Sequence, residues 1–279
     1  MLGLLLVLSA TFCGEIALSI GKRSVEDGKQ SIYAMGFLNG LWGTLLLFFT
    51  AFVIRKTFLF SFASLPTFGL RLILELAQAH VSVLAIARAD RSTFGFLRIL
   101  TIPLLLLSDV ALGYSISGLQ IAGMAIIIAG LIALFIKNGI RRRGMWLVLF
   151  TAVNAAATIS LYKYNITHYN SVEAEQGIAL IVLMLYFFAM ARFVKGENPL
   201  YFLKKPIFLA QSLSEGVGVV LIGFAYLYAP ASIITAIKRA AEVLWATVSG
   251  KMYFGEQKLL VKLAVFVCVA AGLVLLILK

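Results

Sequence analysis

Lys238, Arg239 and Glu242 interrupt a segment, ASIITAIKRAAEVLWATVSG (231–250), that is otherwise largely apolar. Thr235, Lys238, Glu242, Trp245 and Ser249 follow one another at steps of 3, 4, 3 and 4, the spacing that lines residues along one side of a helix. Arg239 lies about 100° further round, at the edge of that stripe. An ammonium and a guanidinium at this spacing suit an anionic group, because the guanidinium offers a planar fork to phosphate or carboxylate and the ammonium adds a point charge. Arg98, followed by Thr101 and Ser108, is a further basic residue in an apolar stretch. Two i,i+4 pairs, Lys238–Glu242 and Arg71–Glu75, can also simply neutralise each other. Arg239 has no such partner on its own helix, which favours an anion or a distant carboxylate.

A second set of residues is acidic. Glu15 lies among Thr11, Ser19 and Lys22; Glu75 precedes Gln78 and Ser82; Glu215 follows Gln211 and precedes Gly218, each series at helical spacing. A carboxylate in apolar surroundings resists ionisation and can exchange a proton or a cation. It can equally serve as a cross-helix partner for Arg98 or Lys238. Asn154 belongs to a further polar stripe with Thr151, Thr158 and Tyr162. The residues expected to meet a substrate are therefore Lys238, Arg239, Arg98, Glu242, Thr235, Gln78 and Asn154, and those expected to couple ions or protons are Glu15, Glu75 and Glu215. His80 reads as a packing residue, and Trp42, Trp146 and Trp245 as packing or interfacial anchors. KYNITHYN (163–170) reads as a loop, and its NIT as an accidental match to a glycosylation acceptor. There is no phosphate-binding loop, nucleophile elbow, zinc-protease motif or metal-spaced cysteine cluster. No enzyme activity, cofactor or metal is expected.

These residues have to be positioned by apolar helices. Of 279 residues 62% are hydrophobic and only 13% charged, against roughly a quarter in soluble chains; the mean hydropathy is +1.01. Apolar runs of about 20 residues, the length that crosses a hydrocarbon layer as helix, recur throughout without the period-two alternation of a barrel strand. The expected fold is an all-α membrane protein of ten transmembrane helices, near 2–20, 32–54, 68–87, 92–112, 116–136, 145–163, 172–193, 206–228, 231–250 and 259–278. FLFSFASLP (58–66) can form a short interfacial helix, and GFLNG (36–40) is a GxxxG pattern that lets backbones approach. The N-terminal run lacks a basic leader and holds Glu15, so it reads as a retained first helix. Cys13 and Cys268 fall in the first and last helices, which disfavours a disulfide framework. Net charge is +12, but the basic residues concentrate in alternate loops, such as Arg141, Arg142 and Arg143, where the positive-inside rule accounts for them without nucleic acid. That rule puts both termini outside a bacterial-type inner or plasma membrane.

Glu75 matches Glu215 and Ser92 matches Ser232 at an offset of 140, Arg98 matches Lys238 at the same offset, and GYSISGLQIAGMAIIIAGLIALFIK aligns with GEQKLLVKLAVFVCVAAGLVLLILK at 142. Two halves of five spans, 1–140 and 141–279, follow; five being odd, the second inserts upside down. Ten spans as two fives, with ASIITAIKRAAEVLWATVSGKMYFGEQKLLVKLAVFVCVAAGLVLL (231–276) at the end, resemble the EamA-like ten-helix carriers of the drug/metabolite transporter superfamily. The first helix, LSATFCGEIALSIGK, is similar to that of the small multidrug resistance proteins, which implies proton exchange at Glu15; Ala156 occupies the matched place in the second half. Lys238–Arg239 resembles the Lys-Arg pair with which plastid sugar-phosphate translocators hold phosphate, and Arg98 falls where those carriers have another basic residue. The resemblance implies secondary-active transport of a small anionic or zwitterionic metabolite by alternating access around a central polar cavity. The alternatives are proton-coupled efflux of cationic drugs or metabolites through Glu15, or a non-transporting scaffold or lipid-handling protein. The expected partners are a small-molecule substrate and the bilayer, with a homodimer allowed.

Overall fold

The computed structural model describes residues 2–88, 97–136, 144–254, 267, 271–272 and 274–276. The described residues are mostly helical, with no strand among them. Among them nine α-helices follow in order: α1 (Leu2–Glu26), α2 (Ile32–Phe49), α3 (Leu65–Arg88), α4 (Thr101–Ala111), α5 (Gly118–Ile136), α6 (Met145–His168), α7 (Val172–Lys195), α8 (Pro206–Ala225) and α9 (Ala231–Phe254). A π-helical turn, Thr50–Ile54, extends α2, and a 3₁₀ turn, Phe62–Ser64, leads into α3. Local chemistry sets the ends. Ser31 and Ser171 cap α2 and α7 by accepting from the backbone N–H of Ala34 (3.1 Å) and Ala174 (3.3 Å). Gly196 closes α7 in the left-handed region at φ 67°.

By length and composition, six helices among the described residues can cross a membrane: Leu2–Glu26, Ile32–Ile54, Phe62–Ala85, Met145–His168, Val172–Lys195 and Pro206–Ala225. Of the ten spans expected, 92–112 falls partly outside the described residues. Thr101–Ala111 and Gly118–Gly130 are apolar but shorter. Helix α9 is 24 residues long, yet Lys238, Arg239, Glu242 and Lys251 make it too polar to count. The segment 259–278 lies mostly outside the described residues, as does Cys268.

Three local expectations are corrected. Helix α1 continues past 20 to Glu26, so Lys22 is a helical residue, 3.7 Å from Glu26. Helix α6 runs to His168 and takes in KYNITH; that stretch looks like a loop only because its polar residues meet buried partners rather than water. Asn165 is fully buried, which agrees with reading NIT as an accidental match. Residues 58–61 are not helical; Leu59 pairs with Ser171 through its backbone, accepting 2.9 Å from Ser171 N–H.

The chain divides into two compact units. The first comprises Met1–Leu8, His80–Ser160 and Tyr228–Lys279; in it α4 and α5 pack against α9. The second comprises Ser9–Ala79 and Leu161–Leu227, where α2 packs on α7 and α8. Small residues make that contact close. Gly36 and Gly40 of the GxxxG face α7, where a Cβ on Gly36 would stand 2.7 Å from the Phe187 ring. A Cβ on Gly216 of α8 would lie 2.6 Å from the Gly43 nitrogen, and one on Gly218 2.9 Å from the Ala10 carbonyl oxygen of α1.

Gly216→Ala therefore forces α8 off the α2 backbone. It should lower stability by roughly 1–3 kcal/mol, the usual cost of overpacking. Gly69→Ala, whose Cβ would meet nothing within 4 Å, should be neutral or stabilising by up to about 1 kcal/mol. Thermal unfolding of the two variants in one detergent checks the contrast.

Candidate functional site

In the first unit the cations collect on α9. Arg239 Nη1 donates to Glu242 Oε2 at 2.7 Å, an i,i+3 pair. Arg98 and Lys238 also act electrostatically on the Glu242 carboxylate. Four of the seven residues expected to meet substrate thus form one cluster of three cations about one carboxylate. Thr235, fully buried on α9, and Asn154, buried on α6, belong to the same unit, whereas Gln78 belongs to the second. The expectation that Arg239 lacks a partner on its own helix is corrected: i,i+3 side chains are neighbours as i,i+4 ones are. Arg239 makes this hydrogen bond to Glu242 alongside the electrostatic contribution of Lys238. One donor stays over, because Arg239 Nε is buried and finds no acceptor among the described residues.

Helix α4 sets the register of this cluster. Asp109, buried at its C-terminal end, accepts from the backbone N–H groups of Ala231 (3.2 Å) and Ser232 (2.7 Å). It caps α9 from another helix, supplying an acceptor and a negative charge where the first turn has open donors. Arg98 lies eleven residues before Asp109, and Glu242 eleven residues after Ala231. The α9 interval spans about 16 Å of helix at 1.5 Å per residue; in the other, a turn at residues 99–100 separates Arg98 from α4. With Asp109 at the start of α9, the packing of α4 runs along that helix, and the Arg98 charge acts on Glu242.

The second unit holds a different charge network. Arg71 is 1% exposed. Its Nη1 donates to Glu175 Oε1 (2.8 Å), its Nη2 to Glu75 Oε1 (2.9 Å) and Gln176 Oε1 (2.7 Å), and its Nε to Glu75 Oε1 (3.2 Å). The Tyr162 ring covers the guanidinium, its centroid 4.6 Å from Cζ. Asn165 Nδ2 donates to Glu175 Oε1 at 2.8 Å, and Asn170 Nδ2 to Glu175 Oε2. Thr67 donates to Asn165 Oδ1 (2.6 Å), and Ser61 N–H to Asn170 Oδ1 (2.8 Å). The Arg71–Glu75 pair foreseen from spacing is present, but the buried anchor is Glu175. Nearby, Arg55 Nη1 donates to buried Glu173 at 3.0 Å. Lys163, expected in a loop, is 5% exposed, and its ammonium donates to the Tyr226 carbonyl.

The acids expected to couple ions or protons, Glu15, Glu75 and Glu215, all fall in this second unit. Glu75 is committed to Arg71. Glu15 accepts from Ser19 Oγ at 3.4 Å, and Glu215 Oε2 lies 4.0 Å from where a Cβ on Gly14 would stand, facing α1 beside Glu15. Glu173 and Glu175 went unassigned because acids in a helix's first turn ordinarily answer the helix dipole. The local stretch, Ser171 followed by Val172, Glu173, Ala174 and Glu175, carries no signal that separates a core carboxylate from an N-terminal one. Among the described residues no group of three or more His, Cys, Asp or Glu side chains is placed to hold a metal.

Removing one partner of a buried pair strands the other charge. Glu175→Ala should therefore destabilise the protein by about 3–5 kcal/mol. Arg71→Met combined with Glu175→Gln, which removes both charges, should recover part of that loss, as read by thermal unfolding. Asp109→Ala should cost about 1–2 kcal/mol, the upper range for losing a helix cap.

No family model matches the chain, and no curated protein matches it either. Solved structures do: 28 chains resemble it. One, described only as "Crystal structure of protein", superposes with a TM-score of 0.70 at 14% identity over 97% of this chain and 98% of the other. At that identity the likeness is one of fold.

Proposed function

We propose that the protein is a secondary-active membrane transporter of a small anionic or zwitterionic metabolite, working by alternating access, and that α9 carries its substrate-binding charges. The observation that carries this reading is the convergence of Arg98, Lys238 and Arg239 on Glu242 in a chain that is 13% charged. Ionisable groups at membrane depth are costly, about 2.5–3.5 kcal/mol each on insertion scales, and persist where they bind, pair or conduct. Pure pairing accounts less well for three cations around one carboxylate than for the Arg71 network, where every donor group of the guanidinium is bonded. Thr235 and Asn154 supply neutral hydrogen-bonding groups in the same unit.

The ten-helix inverted repeat, with halves 1–140 and 141–279, belongs to this proposal. It is supported by which elements touch. Within the units α2 packs on α7 and α4 on α9, and Gly123 of α5 lies against Gly272, a Cβ there meeting the Gly272 carbonyl oxygen at 2.8 Å. Each is a contact between a segment and the one five places later, as a two-fold relation between halves requires. Membership of the EamA-like drug/metabolite carriers is the corresponding family proposal. The basic loops lie on the cytoplasmic side and both termini outside. Proton or cation coupling rests with Glu15 and Glu215, since Glu75 is held by Arg71.

Thermal-shift screening of the purified protein against phosphorylated, carboxylated and cationic metabolites tests the substrate class, with stabilisation by anionic members expected. Lys238→Ala should fold with a melting temperature within a few degrees of wild type and lose at least ten-fold in affinity for the stabilising compound. A variant that fails to fold, or one that keeps full binding, speaks for a scaffold role instead.

A further inference from the structure

We propose that Glu242 is a resident counter-anion: it occupies Arg239 in the unloaded site and must give way when an oxyanion binds. This rests on the preceding reading of α9 as the substrate-binding helix and adds which residue gates entry to it.

Two arginines of the same chain, both nearly inaccessible, are treated differently. Arg71 has Nε, Nη1 and Nη2 all bonded, to Glu75, Glu175 and Gln176, with an aromatic ring over its face. No edge of that guanidinium is left for a ligand. Arg239 is bonded to Glu242 through Nη1, while its Nε is buried without an acceptor among the described residues. A guanidinium binds an oxyanion best through two parallel N–H groups, and Glu242 engages it through one oxygen. The fork is occupied but not filled.

The pair is also uneven in burial. The Arg239 side chain is 5% exposed and that of Glu242 33%. The guanidinium is enclosed by protein, and the carboxylate is the more exposed partner, with its own side-chain torsions on which to turn away. It has somewhere to go: Lys238, one turn back on the same helix face, and Arg98, from the segment leading into α4, already act on it. Moving from Arg239 to these cations leaves no charge stranded, so loading is an exchange of partners. Because Glu242 is tethered, it competes at a high effective concentration. A single carboxylate that offers Arg239 no more than Glu242 does loads poorly. An oxyanion with two oxygens for the fork and more than one negative charge displaces it.

Titration of the purified full-length protein with inorganic phosphate and with acetate, at constant ionic strength and followed by calorimetry, tests this. Wild type should bind phosphate weakly and acetate not measurably. Glu242→Gln should tighten phosphate at least ten-fold and make acetate binding measurable. Adding Arg239→Lys to Glu242→Gln, which keeps the charge but removes the fork, should abolish most of the gain. Where Glu242→Gln does not fold, Glu242→Asp, one methylene short of Arg239, should give an intermediate tightening. Unchanged or weaker phosphate binding in Glu242→Gln, together with loss of binding in Arg239→Gln, would overturn the counter-anion role while leaving the anion site standing. Phosphate binding indifferent to both substitutions would overturn the site itself.

Discussion

A guanidinium in an apolar medium has no water to fall back on. Each of its N–H groups must find an acceptor in the protein or forfeit solvation it had outside. Much of the polar architecture of the second unit follows from meeting that demand for Arg71. Glu175 faces it from the first turn of α7, Gln176 and Glu75 complete the donors, and Tyr162 closes the face. The carboxylate of Glu175 is then held by Asn165 and Asn170, and these by Thr67 and Ser61. One buried cation thereby ties α3, the α6–α7 turn and the segment before α3 into a single hydrogen-bonded body. The saturation of this network is what makes the incomplete coordination of Arg239 informative by contrast.

Hydrogen bonds of this kind matter because the hydrophobic effect does little to hold helices together where the surroundings are as apolar as the side chains. Close approach supplies the remainder. Gly216 and Gly218 bring α8 into backbone contact with α2 and α1, and Gly36 seats α2 against the Phe187 ring of α7. Two polar links reinforce it: Gln30 donates to Gln211 at 3.1 Å, and Gln211 to Asn39 at 3.2 Å. Large apolar side chains such as Phe193 and Ile73 are left to face outward, 86% and 67% exposed.

Which parts of this were legible beforehand follows from range. Helix positions were readable because apolar runs alternate with breakers such as GENP and YAPAS, and polar stripes such as 235–249 because helical periodicity is local. The Arg71–Glu75 pair, four residues apart, was legible for the same reason. Glu175 is 104 residues from Arg71, and nothing in its own neighbourhood marks it as a core residue; its position after Ser171 already had an ordinary explanation. The Arg239–Glu242 bond was within reach of local reasoning, since i,i+3 side chains are neighbours as i,i+4 ones are. Among the described residues, the absence of α9 from the six apolar spans has a related cause. A helix that carries binding charges is, by that fact, less apolar, so a count based on hydropathy is biased against the element on which function would depend.

Charges on a helix define a site only if the helix cannot slide. Asp109 meets that condition for α9. A shift of one residue along the axis, about 1.5 Å, would pull the Ala231 and Ser232 amides out of hydrogen-bonding distance of a carboxylate that is 1% exposed. That carboxylate would have no water to turn to. Arg98 precedes α4 and Asp109 ends it, so one element links the pinned start of α9 to the Arg98 charge that acts on Glu242. In the exchange proposed for Glu242, the carboxylate would leave Arg239 for Lys238 or Arg98, whose charges already act on it. A pinned α9 would make that exchange a discrete event, since the cations would hold their places while a single side chain changed its bond.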